Sequence, residues 1–105
     1  MCGIVGYIGH QKAVKVLLDG IKRLEYRGYD SSGIAFIENN SLHCEKAVGK
    51  IAELEKRFFG NTYNTTMGIV HTRWATHGAP TLNNAHPHVD CRNEIAVVHN
   101  GIIEN

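Results

Sequence analysis

The chemistry in this chain begins at its second residue. The sequence starts Met1-Cys2-Gly3-Ile4-Val5-Gly6, so loss of the initiator methionine leaves a cysteine with a free α-amino group. A cysteine thiol titrates near about 8.5 and an α-amine near about 7.7–8. One residue then offers both a nucleophile and a base that takes up a proton near neutral pH without being buried. That pairing suits attack on a carbonyl carbon, which is acyl transfer through a thioester. Cys2 alone would carry little weight, since many chains have a small residue there. Three further segments accompany it: Tyr26-Arg27-Gly28-Tyr29-Asp30-Ser31-Ser32-Gly33, His71-Thr72-Arg73-Trp74-Ala75-Thr76-His77-Gly78 and Val98-His99-Asn100-Gly101. Arg73 presents a planar fork that matches a carboxylate in two places, although a lone arginine is usually a surface residue. Asn100-Gly101 is by itself a common hairpin turn. Beside Cys2 and Arg73 it reads better as donors at the end of a strand, where an oxyanion would need them.

Two rival chemistries are weaker. His71, His77, His86, His88 and His99, with Cys91, are residue types that bind zinc. No CxxC or HExxH spacing accompanies them, and His86-Pro87-His88 alone is a weak pattern, so a metal site ranks well below the cysteine. Asp30-Ser31-Ser32 hints at a serine nucleophile, yet no GxSxG elbow is present. The stretch reads as a loop whose hydroxyls bond to their own backbone.

The elements that must position these residues follow from periodicity. Residues 2–8 are rich in Ile, Val and Tyr and predict a buried first strand. Residues 11–26 predict a helix, with Val14, Leu17, Leu18, Ile21 and Leu24 at three- and four-residue steps. Residues 27–33 are turn formers and predict a loop. Residues 34–38 and 42–48 predict a hairpin around Asn39-Asn40. Residues 50–59 predict a short amphipathic helix with Ile51, Leu54, Phe58 and Phe59 on its apolar face. Residues 67–70 and 95–98 predict short strands. Between them, residues 72–93 show little periodicity and are rich in His, Thr and Asn, as functional segments inside compact domains often are. The order gives an α+β or layered α/β class without selecting a topology.

Composition bounds the partners. The 105 residues suit one small domain, and 43% are hydrophobic, enough for a modest core. A formal net charge of +1 argues against a nucleic-acid or membrane-surface role. No apolar run approaches a membrane span, and residues 1–9 lack the charged start and cleavage pattern of a signal peptide. Three cysteines, Cys2, Cys44 and Cys91, make an odd count and predict free thiols in a reducing cytoplasm.

Taken together, the four segments occur in the order and spacing of the class II glutamine amidotransferases, whose glutaminase domains are N-terminal-nucleophile hydrolases. The chain resembles this family over essentially its whole length. The forms Tyr26-Arg27-Gly28-Tyr29-Asp30 and Arg73-Trp74-Ala75-Thr76-His77-Gly78 resemble the aminotransferase branch. They differ from the Gln-containing and Tyr-Ser wording of amidophosphoribosyltransferases and from the His-Arg-Gly-Pro-Asp of asparagine synthetases. The resemblance implies an α+β fold, an αββα sandwich of which this chain is the first half. It implies that Cys2 is the nucleophile and its amine the base, with the Asn100 side-chain amide and the Gly101 N–H as oxyanion donors. Arg73 would take the α-carboxylate of glutamine. Trp74 would lie on a loop that closes over glutamine and gates ammonia, Thr76 and His77 would contact glutamine, and His86 is a weaker carry-over of the same kind. Arg27 and Gly28 would hold the chain start in place as structural support.

The resemblance further implies no metal and no organic cofactor for this half-reaction. It implies glutamine and fructose 6-phosphate as substrates of the intact enzyme, no nucleic-acid or membrane partner, and a homo-oligomer at full length. Residues 1–105 are then expected to be a partial glutaminase domain without the sugar isomerase domains, its inner sheet face uncovered and its folding marginal. Two alternatives stay open: another class II amidotransferase, and a non-catalytic truncated product.

Overall fold

The computed structural model describes residues 3–24, 31–58, 63–73 and 85–99. Strands β1 (Gly3–Ile8), β2 (Ser31–Glu38), β3 (Ser41–Val48) and β4 (Met67–Arg73) form one antiparallel sheet in the order β1-β4-β2-β3. Helices α1 (Ala13–Lys22) and α2 (Ile51–Glu55), the latter running into a 3₁₀ turn at Lys56–Phe58, pack on one face of it. A short hairpin of β5 (His88–Val89) and β6 (Ala96–Val97) makes a second, two-stranded sheet. The class is mixed α and β with antiparallel pairing, in keeping with α+β.

Strand alternation explains the two faces. Val70, Ile34 and Ala47 come from neighbouring strands and meet Leu17, Leu18, Ile21, Ile51 and Leu54 from the helices in one buried core, with the partly buried Val5 packed against it. Full burial of each such aliphatic side chain contributes about 1.5–3 kcal/mol. Phe36 anchors an aromatic cluster, its ring 4.7 Å from Tyr63 and 5.3 Å from His43. α1 has no side-chain cap at Lys12; instead the Ala13 N–H donates to the Thr65 carbonyl at 2.8 Å. Glu38 holds that same turn, accepting from the N–H groups of Asn64 and Thr65. A Lys22–Glu55 ion pair links the two helices.

The opposite face is apolar and only partly covered. Ile4, Ile8, Ile37 and Met67 are 42%, 79%, 39% and 41% exposed there. The β5–β6 hairpin approaches this face, with Asn93 Nδ2 donating to the Leu42 carbonyl at 3.2 Å. Asp90 ties the hairpin turn, accepting from the N–H groups of Glu94 and Ile95 at 2.6 and 2.9 Å. Those N–H donors hold its carboxyl below the usual carboxylate range.

Several elements differ from the periodicity. The first strand is a sheet edge with Ile4 and Ile8 exposed, not a buried strand. Within the described residues the first helix is shorter than expected, from Ala13 to Lys22, with Arg23 and Leu24 closing it by bonds to Gly20 and Ile21. Ser31-Ser32-Gly33 is strand rather than loop: both neighbours of β2 extend their ladders this far, and the pairing overrides turn propensity. The Ser31 and Ser32 hydroxyls are buried without a partner among the described residues, so they do not make the loop bonds expected of them. β4 continues to Arg73, three residues past the expected end, for the same reason. Residues 85–93, expected to be irregular, include β5. The Asn39-Asn40 hairpin is present, both residues in the left-handed region its turn requires.

Candidate active site

The site gathers at the C-terminal end of β4. Odd-numbered residues of this strand face away from the helices, which puts His71 and Arg73 on one face together. His71 is fully buried and Arg73 is 9% exposed, so Arg73 is not an ordinary surface arginine. Beside Arg73 in the ladder is Ser31, the first residue of β2. Across β1, Gly3 pairs with Thr72, and its N–H donates to Thr72 Oγ1 at 3.1 Å.

His86 packs against this corner. Its ring centroid lies 4.5 Å from that of His71 and 4.3 Å from that of His88. Its Nδ1 accepts from the backbone N–H of His99 at 3.3 Å. Burial, the neighbouring histidines and the cations Arg73 and Lys46 hold its pKa down at about 4. Burial, Lys46 and Arg73 also lower that of His88. The corner is therefore cationic through Arg73 and Lys46, with His86 neutral at pH 7.

Four chain segments meet here. Gly3 follows Cys2, Ser31 follows the segment of Arg27 and Gly28, Arg73 precedes Trp74, and His99 precedes Asn100. Cys2, Arg27, Gly28, Trp74, Thr76, His77, Asn100 and Gly101 themselves lie outside the described residues. Of the expected site residues, Arg73 and His86 are described, and the Arg73 charge acts on the His86 ring.

Other chemistry finds less support. Cys44 and Cys91 are free thiols. Cys44 is half-buried, 3.9 Å from the Pro87 carbonyl, and burial raises its pKa, which disfavours the thiolate. Among the described residues no group of three or more His, Cys, Asp or Glu is arranged to hold a metal ion. None of their helices is long and apolar enough to cross a membrane.

No family model matches the chain. Curated relatives match it throughout. A glutamine–fructose-6-phosphate aminotransferase (isomerizing) of Aquifex aeolicus is 60% identical over 105 residues, all of this chain and 18% of the relative. Proteins of the same name from Clostridium perfringens and Pyrococcus horikoshii are 54% and 57% identical over the whole chain, which covers 17% and 18% of them. The chain matches the N-terminal region of the glutamine–fructose-6-phosphate aminotransferases. It spans less than a fifth of the length of these relatives.

Some residues of this corner are not marked by the sequence pattern. Lys46 gave no signal. Thr72 and Gly33 were visible only as members of longer segments. His71 and His88 suggest metal ligands by type, whereas in the structure their rings flank that of His86. Extending the strand pattern of β4 by three residues would have put His71 and Arg73 on one face.

Proposed function

We propose that this chain is the first half of a glutaminase domain with the αββα sandwich of the N-terminal-nucleophile hydrolases, working within a longer cytoplasmic polypeptide. After Met1 is removed, the Cys2 thiol gives its proton to its own α-amine and the sulfur bonds the carbonyl carbon of the glutamine side-chain amide. Asn100 and Gly101 stabilise the resulting oxyanion; one such donor is worth about 3–4 kcal/mol in the transition state. The C–N bond then breaks, nitrogen leaves as ammonia with a proton returned by the ammonium, and water splits the thioester to glutamate.

Arg73 binds the α-carboxylate of glutamine, with Trp74, Thr76, His77 and His86 around the substrate and Arg27 and Gly28 supporting the chain start. The ammonia passes to fructose 6-phosphate, giving glucosamine 6-phosphate for amino-sugar synthesis, in an oligomeric enzyme. The half-reaction uses no cofactor.

The observation that carries this reading is the meeting of Gly3, Ser31, Arg73 and His99 at one corner. Each adjoins a segment assigned to the same reaction. The test is glutamate release from glutamine by the protein and by Cys2→Ala, with intact mass to verify loss of Met1. Activity that vanishes in the variant supports the reading. Equal release from both, or a retained Met1 in active protein, overturns it.

A further inference from the structure

The glutaminase reading assigns the oxyanion donors to Asn100 and Gly101 without saying what holds the backbone that delivers them. One tie lies immediately before them: the His99 N–H donates to His86 Nδ1 at 3.3 Å. A ring nitrogen accepts only when it carries no proton, so the neutral imidazole bears its proton on Nε2.

The surroundings hold that ring from several sides. The backbone at His86 and Pro87 lies against Gly33 with no room for a side chain between them. The ring packs against His71 of β4 and His88 of β5. The Pro87 carbonyl faces the Cys44 thiol of β3. The charged groups acting on it are Arg73 from β4 and Lys46 from β3, both cations that disfavour a second proton. With Nδ1 engaged, only Nε2 is left to face a ligand.

We infer that His86 is a positioning residue: as its Nε2–H tautomer it fixes the backbone at His99, the residue that precedes the proposed oxyanion donors in the sequence. This rests on the glutaminase reading above.

The test uses the full-length protein. His86→Ala lowers kcat for glutamine hydrolysis by about 10- to 100-fold while KM for glutamine stays within about threefold, the pattern of displaced oxyanion donors. His86→Asn places an amide oxygen where Nδ1 stood and recovers most of that loss. His86→Gln, with its acceptor one bond farther out, does not. Ring ¹⁵N shifts of the unsubstituted protein at pH 7 show Nδ1 bare and Nε2 protonated.

The opposite tautomer overturns the inference. So do equal kcat losses in the Asn and Ala variants, or a raised KM with kcat unchanged, which would mark a direct substrate contact. Should the variants not fold, the tautomer alone decides. If the unsubstituted protein hydrolyses no glutamine, the function reading fails, and the ring shifts still decide whether His86 holds His99.

Discussion

A side chain at Gly33 would collide with the carbonyl of His86. The segment that carries the site's central imidazole is therefore laid directly on β2 near its start, and the missing Cβ makes the room. Gly33→Ala forces residues 86 and 87 off the sheet. We expect a destabilisation of about 1–3 kcal/mol, typical of overpacking, with loss of glutaminase activity. Urea unfolding and a glutamate assay check this. A variant with unchanged stability and activity would show that the close approach is dispensable.

Thr72 ties the start of the chain to the strand that ends in Arg73, through its Oγ1 and the Gly3 N–H. Thr72→Val keeps the shape and removes the acceptor, leaving a buried N–H without its partner, at a cost of about 1–3 kcal/mol. Activity falls with it, because Cys2 adjoins the loosened residue. Thr72→Ser restores both. Equal behaviour of the Val and Ser variants in unfolding and turnover would argue against the tie.

The pH dependence of stability carries a signature of His86. Its folded pKa lies at about 4, below the ordinary 6.5. Above about 6.5 the ring is neutral whether the chain is folded or not, and its contribution is complete. As pH falls from 6.5 towards 4 the unfolded chain binds a proton that the folded chain refuses, so stability declines. Below 4 both forms are charged and the decline from this group stops. Unfolding curves at several pH values should show a smaller loss between pH 7 and pH 4.5 in His86→Asn than in the unsubstituted protein. Parallel curves for the two would refute the assignment.

Thiol reactivity separates two of the cysteines. Burial pushes the Cys44 thiol up and half-covers it, while Cys91 is exposed in the hairpin turn. Iodoacetamide at pH 7.5, followed by peptide mass mapping, should label Cys91 before Cys44. Labelling of Cys44 first would mean that the sheet face around Pro87 opens readily.

The sequence made some parts of this structure legible and hid others for physical reasons. Leu17, Leu18 and Ile21 announced α1 because one buried stripe at helical spacing dominates its pattern. Asn39-Asn40 announced its hairpin because few residues adopt left-handed backbone cheaply. Ser31 and Ser32 misled, since their turn preference is local and the ladders that override it come from residues far along the chain. The edge position of β1 was invisible for the same reason: its apolar run looks alike with one neighbour or two. Arg73 could be singled out from its type and company, and it stands nearly buried at the end of β4. That His86 would stand beside it depends on a bare spot at Gly33, which no periodicity records.

The bond between Gly3 and Thr72 spans 69 positions of sequence. A ribosome adding about 5–20 residues per second needs roughly 3–14 s to cover that distance. Throughout that interval β1 lacks the one strand it pairs with. β1 is therefore laid into the sheet only after β4 has been made.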